Sequence, residues 1–338
     1  MESAEVTWER EKFIEGNGRK VDALVKTFKL GRADHFLEVN VHREACRLCP
    51  GVVRVLDNNI EGGVLRLKLE FCEQGSLLEV LRTTKTTPAL GQLVQWYDSM
   101  LTTLATLHEN RIAHRCIDLS NWLMTASGEV KLSDFGQAKI IKSKETLQFH
   151  SIRMNKAYLE RDLLNGTDVV HSPFADDMWS LGKVFFEMAV RKVFEHLNTF
   201  SQLHLEQKVT RELTSFGCPQ LTQLVLGMLH TDSNQRLSAQ AALETLRKIT
   251  PQMQEAFEGP CPSCLNSPVM TFPCGHASCA QCWRQKVDEC VKLECATCLR
   301  ELQVDDLLKN TEVSRELKLE VLRRFQSACE GRKKSWKR

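Results

Sequence analysis

The chain has 338 residues, 42% of them hydrophobic, with 45 Lys and Arg against 43 Asp and Glu for a formal charge of +2. That apolar fraction supports a sizeable core and excludes wholesale disorder. The near-balanced charge gives no basis for nucleic-acid or membrane binding, and the length suits two domains or one large domain with an appendix. No apolar run reaches the roughly 18 residues of a membrane helix. Glu2, Glu5, Glu9, Arg10 and Glu11 near the start do not compose a secretory signal. The expected location is the cytoplasm. The nucleus enters only through a basic tail of Arg332, Lys333, Lys334, Lys337 and Arg338, which also reads as a solvated end.

In chain order, Asn17-Gly18 is a hairpin signal of the type I′ class, joining Phe13–Ile14 to a strand over Val21–Phe28. Val52–Leu56 and Gly63–Cys72 read as further strands. From Gly91 the period changes: Leu93, Tyr97, Met100, Leu101, Leu104 and Leu107 share one face of a long helix. Ala175–Val193, Leu221–His230 and Ser238–Ile249 are also helical in pattern. Strands followed by helices imply an α+β, two-lobed body. Pro251, Gly259, Pro260 and Pro262 mark a boundary. Beyond it, Val313, Leu317, Val321 and Phe325 predict a helix over 312–326 that could support a homodimer.

Eight of the 14 cysteines fall within 38 residues near the C-terminus, all but Cys290 at paired spacings. In a reducing compartment, clustered thiols bind metal more often than they form disulfides. Cys261-x2-Cys264, Cys274-x-His276-x2-Cys279-x2-Cys282 and Cys295-x2-Cys298 supply eight ligands, enough for two tetrahedral Zn²⁺ sites. The series resembles the RING finger. That resemblance implies a cross-braced pairing: Cys261, Cys264, Cys279 and Cys282 on one structural zinc, and Cys274, His276, Cys295 and Cys298 on the other. It also implies a ubiquitin ligase whose partners are a conjugating enzyme and ubiquitin.

Upstream, His114-Arg115-Cys116-Ile117-Asp118-Leu119-Ser120-Asn121 resembles the catalytic loop of protein kinases, and Ser133-Asp134-Phe135-Gly136 their metal-binding segment. Asp177-Met178-Trp179-Ser180-Leu181-Gly182 is similar to the start of the family's buried helix, and Glu70–Glu73 to its hinge, with Leu69 as gatekeeper. Arg236 is similar to the late arginine that pairs with the glutamate ending the activation segment, here Glu160. The resemblance implies that ATP and Mg²⁺, where they bind, meet Lys26, Asn121 and Asp134. The lysine's partner would be Glu38 or Glu44, though Lys26, like Lys29, also reads as an exposed strand lysine. The loop departs from the family, because Cys116 stands where a carboxylate orients the substrate hydroxyl, and Asp118 where a lysine neutralises phosphate. Gly16 and Gly18 sit too close to Lys26 in sequence to form a glycine-rich loop ahead of a full strand.

These readings combine into one expectation. A kinase-like domain over 1–250 that has lost phosphotransfer recruits a protein substrate. A linker over 251–260 leads to a RING over 261–303, then a helix and basic tail over 304–338. Two alternatives stand beside it: an active serine/threonine kinase using Asp118 as base with the zinc module as a docking device, or a non-catalytic adaptor, favoured by polar Ser263 and by Leu299 after the last ligand.

Overall fold

A computed structural model describes residues 6–29, 33–83, 90–141, 155–159, 172–213, 218–258, 270–271, 277–278 and 319. The chain divides into two units. The first comprises Met1–Lys85, Gln95–Gln207 and Leu224–Thr245; the second comprises Thr86–Val94, Lys208–Gln223 and Leu246–Arg338.

The first unit opens with a four-stranded antiparallel sheet. Strands β1 (Val6–Ile14) and β2 (Lys20–Lys29) form a hairpin, and β3 (Val55–Glu61) and β4 (Val64–Glu70) complete the order β1-β2-β4-β3. The hairpin turn differs from the type I′ expectation. Of its residues only Gly18 has positive φ, at 81°, and Gly18 N–H donates to Glu15 O at 2.8 Å. This is a type I turn closed by a left-handed glycine, a form that needs one such residue rather than two.

Helix α1 (Ala33–Leu48) follows β2, and its Val39 joins Phe28, Val53, Leu65, Leu67, Leu69 and Cys72 in one apolar cluster. Burying each such side chain contributes about 2 kcal/mol. Val52–Leu56, predicted as a strand, yields only its last residues to β3, while Val52 makes a lone bridge to Leu132. Cys49 is buried and Cys46 half-buried at the end of α1, both as free thiols.

Helices α2 (Leu77–Thr83) and α3 (Leu90–Glu109) come next, α3 burying Tyr97, Met100, Leu101, Leu104 and Leu107 as its periodicity predicts. Short strands β5 (Ile112–Ala113), β6 (Trp122–Met124), β7 (Val130–Leu132) and β8 (Lys139–Ile140) pair as β5·β8 and β6·β7. This nested pairing places residues 114–121 against 133–136. Helix α4 (Pro173–Val190) is almost wholly buried from Asp176 to Ala189. A Cβ on its Gly182 would lie 2.8 Å from Met228 Cβ, so only glycine admits that approach.

Three more helices complete the helical part: α5 (Gln202–Leu213), α6 (Pro219–Met228) and α7 (Ala239–Glu258). The second unit, taken by itself, buries Val209, Leu213, Cys218, Leu221 and Leu246, and carries a hairpin of β9 (Met270–Thr271) and β10 (Ala277–Ser278). Helix α7 runs on through Pro251 to Glu258, so the predicted break at 251 is not where the helix ends. Proline costs a helix interior about 3 kcal/mol, and the amphipathic run through Leu243, Leu246 and Ile249 outweighs it. The predicted helix over 312–326, apart from Leu319, lies outside the described residues, as does the basic tail. Among the described residues no helix is long and apolar enough to cross a membrane.

Candidate active site

The sheet, α1 and the segment after β7 converge on Lys26. Its ammonium donates to Glu38 Oε1 at 2.6 Å and to Asp134 Oδ1 at 2.9 Å. Lys26 is 6% exposed, which removes the exposed-lysine reading, and Glu38 is buried with it. Glu44, the competing partner, is instead held by Arg47 at the surface. Burial works against the charge on Lys26, but Asp134 and Glu38 outweigh it and raise the lysine above its ordinary range. Burial likewise disfavours ionised Asp134, and Lys26 overrides it, holding that carboxyl below its usual range.

Asp134 has φ 57° and ψ 73°, a left-handed conformation costing a non-glycine residue about 1–3 kcal/mol. Arg115, at φ 65°, is strained likewise. Three sets of contacts hold them. Asp177, at the N-terminal end of α4, accepts the backbone N–H groups of His114 and Arg115 at 2.8 and 2.7 Å. Phe135 stacks on His42 from α1, with centroids 4.6 Å apart, and meets the His114 ring edge-on at 4.8 Å. Gly136 packs so close that a Cβ there would sit 3.2 Å from Glu38 Oε2 and 3.3 Å from Asp134 Oδ1.

The loop from His114 to Asn121 closes the other side. Asn121 donates its amide N–H to Cys116 O at 2.7 Å, leaving its amide oxygen free among the described residues. Burial first, then Asp134 and Asp118, push the Cys116 thiol up to about 12, so it is neutral at pH 7 and cannot act as a base. Asp118 is 7% exposed, and its Oδ1 accepts from Ser120 N, Ser120 Oγ and Asn121 N. Its Oδ2 accepts no hydrogen bond among the described residues, and the side chain lines a cavity of about 320 Å³ with Ser120, Asn155, Tyr158 and Glu195.

Three features were not singled out in the sequence. Lys183 and Glu187, both fully buried on α4, pair at 2.6 Å, and Glu187 also takes the Tyr158 hydroxyl and Phe194 N–H. Their signal was two opposite charges four residues apart in an apolar helix. Trp8 pairs in register with Lys26. His42 is the residue under Phe135. Two other expectations place as follows. Leu69 is buried at the end of β4 beside Glu70, which takes Lys131. Arg236 donates to His230 O and Ala175 O, while Glu160 lies outside the described residues.

Residues 20–246, two thirds of the chain, match the protein kinase domain family. Among its relatives are the serine/threonine-protein kinase Nek9 of Mus musculus (26% identical, covering 60% of this chain and 21% of that protein) and mitogen-activated protein kinase kinase 1 of Arabidopsis thaliana (26%, covering 62% and 64%). The serine/threonine-protein kinase dst4 of Dictyostelium discoideum is 25% identical, covering 68% of this chain and 45% of that protein. The chain thus spans a fifth to just under two thirds of these relatives' lengths.

These findings correct the expectation of a RING-type ubiquitin ligase with two structural zinc ions and no phosphotransfer. The family match is to protein kinases, and the named relatives are protein kinases. Among the described residues no group of three or more His, Cys, Asp or Glu side chains could hold a metal ion. The eight expected ligands Cys261, Cys264, Cys274, His276, Cys279, Cys282, Cys295 and Cys298 lie outside those residues. The kinase pattern spans residues 20–246 and includes the buried Lys26–Glu38–Asp134 cluster, which outweighs the local cysteine spacing at the C-terminus and the two loop substitutions. On the match over residues 20–246, the chain belongs to the protein kinase domain family.

Proposed function

We propose that this chain is an ATP-dependent serine/threonine protein kinase. The observation that carries the reading is Lys26 in simultaneous contact with Glu38 and Asp134, in a cluster assembled from β2, α1 and the segment after β7. Phosphoryl transfer rests on positioning and charge neutralisation more than on covalent chemistry, and this lysine–glutamate pair with a metal-binding aspartate is its core. Asp134 and the free amide oxygen of Asn121 are hard oxygen donors, the set Mg²⁺ takes alongside substrate phosphates. Bound there, Mg²⁺ supplies neutralisation of phosphate charge.

The acceptor hydroxyl needs an orienting group. Cys116 is neutral, Asp177 is committed to backbone amides and His108, and Asp134 is held by Lys26. Asp118 remains, with one oxygen unengaged and facing a cavity wide enough for a side chain. It acts as the orienting base, with a protein hydroxyl as its substrate.

The test is transfer of radiolabelled phosphate from Mg–ATP to the chain itself and to a generic serine-rich protein. Lys26→Met and Asp134→Asn abolish transfer, Asp118→Asn lowers it by about 10²–10⁴, and Cys116→Ala leaves most of it. Transfer indifferent to Lys26→Met and Asp134→Asn, or none at all from protein that binds Mg–ATP, overturns the reading.

A further inference from the structure

We propose that Trp8 is a lid over the nucleotide's phosphates at Lys26; this rests on the nucleotide-binding reading above. Gly16 and Gly18 cannot serve. They sit at the hairpin turn beyond Ile14↔Lys20, the last strand pair, six residues along the sheet from Trp8 and Lys26. At about 3.3 Å per residue, that is some 20 Å from Lys26, well beyond the length of a triphosphate.

Trp8 is where a cover has to be. It is the cross-strand partner of Lys26, so the two side chains stand on the same face of the sheet. The Lys26 ammonium lies 5.1 Å from the indole centroid. Lys26 is buried, whereas Trp8 is 47% exposed, which places the indole between the ammonium and solvent. A large aromatic left half in water is a poor contribution to stability but a ready surface for a ligand. Its ring N–H makes no hydrogen bond among the described residues. A phosphate oxygen that meets Lys26 there finds a second donor in the indole edge, while the ring face retains the ammonium and keeps water from it. The ligand class is therefore a nucleoside polyphosphate, recognised by its phosphates rather than by its base.

The experiment uses the full chain and its Trp8→Ala and Trp8→Phe variants, each first checked for an unchanged melting temperature. Calorimetric titrations with Mg–ATP and with adenosine are compared. The expected result is a five- to tenfold weakening of Mg–ATP binding in Trp8→Ala, adenosine affinity within twofold of the parent, and partial recovery in Trp8→Phe. The fluorescence difference between parent and Trp8→Phe, which isolates this indole from the other five tryptophans, shifts on adding Mg–ATP. Equal weakening toward both ligands, no weakening, or an unmoved difference spectrum overturns the lid while leaving nucleotide binding standing. Failure of the parent chain to bind Mg–ATP overturns both readings.

Discussion

Replacing Lys183 with methionine tests the buried charge cluster behind the cavity. Lys183 and Glu187 are fully buried and 2.6 Å apart, and the ammonium also lies 3.7 Å from the centre of the Tyr158 ring. Burial pushes the lysine down from its usual range, opposed chiefly by Glu187, with Asp118 adding to that support. Methionine fills nearly the same volume, so the change is electrical rather than a cavity. Glu187 would keep the Tyr158 hydroxyl and Phe194 N–H as donors but lose its counter-charge. Removing one partner of such a pair costs about 3–5 kcal/mol. In a domain this size each kcal/mol moves the melting temperature by about 2–4 °C, giving a fall of roughly 6–20 °C. Differential scanning fluorimetry at pH 7.5 with and without Mg–ATP reads it. Adding Glu187→Leu should not add its own full cost, since the orphaned charge is then gone, although the two donors lose their acceptor. A fall below 2 °C for Lys183→Met, or strict additivity in the double variant, would refute the assignment of a charged pair to this site.

Burial pushes His42 down to about 4, against an ordinary value of 6.5. The unfolded chain therefore binds the proton first as pH falls, and stability is lost between pH 6.5 and 4, by about 3 kcal/mol from this group. His42→Gln removes that part of the slope in urea melts taken across the interval. Gly136→Ala forces Glu38 and Asp134 apart by a few tenths of an ångström. Mg–ATP affinity measured by calorimetry falls about three- to tenfold, because small misplacements at such sites are amplified. A Cβ at Gly51 would sit 1.9 Å from Thr103 Oγ1. Gly51→Ala thus destabilises by about 1–3 kcal/mol, and adding Thr103→Ala restores most of the melting temperature.

The long periodic helices were legible because their apolar stripes repeat over many turns: α3 falls where Leu93 to Leu107 place it. Helix α5 was not, since its buried face holds only Leu205, Val209 and Leu213 among charged neighbours. Lys26, Asn121 and Asp134 were named from order along the chain, but whether the lysine was buried depends on α1, which no local pattern positions. The choice of Glu38 over Glu44 turned on helix phase, as the two stand six residues apart and so point to different faces. Trp8 was not within reach of the sequence: a two-residue turn at Asn17-Gly18 would put residue 8 opposite residue 27, whereas the longer turn observed pairs Ile14 with Lys20 and so Trp8 with Lys26.

The cluster around Lys26 joins residues 12 and 108 positions away in the chain. The Lys26–Glu38 contact needs only β2 and α1, while the Lys26–Asp134 contact waits on a segment 108 positions away, so the full cluster exists only once all three have come together. The same geometry runs in reverse. If α1 detaches locally while the rest of the chain stays folded, Glu38 leaves Lys26 and His42 leaves Phe135 in one event, and nucleotide affinity falls with the stability of that single helix. Amide exchange along 33–48 thereby becomes a gauge of the fraction of molecules in which the Lys26 and Phe135 contacts of α1 are all made.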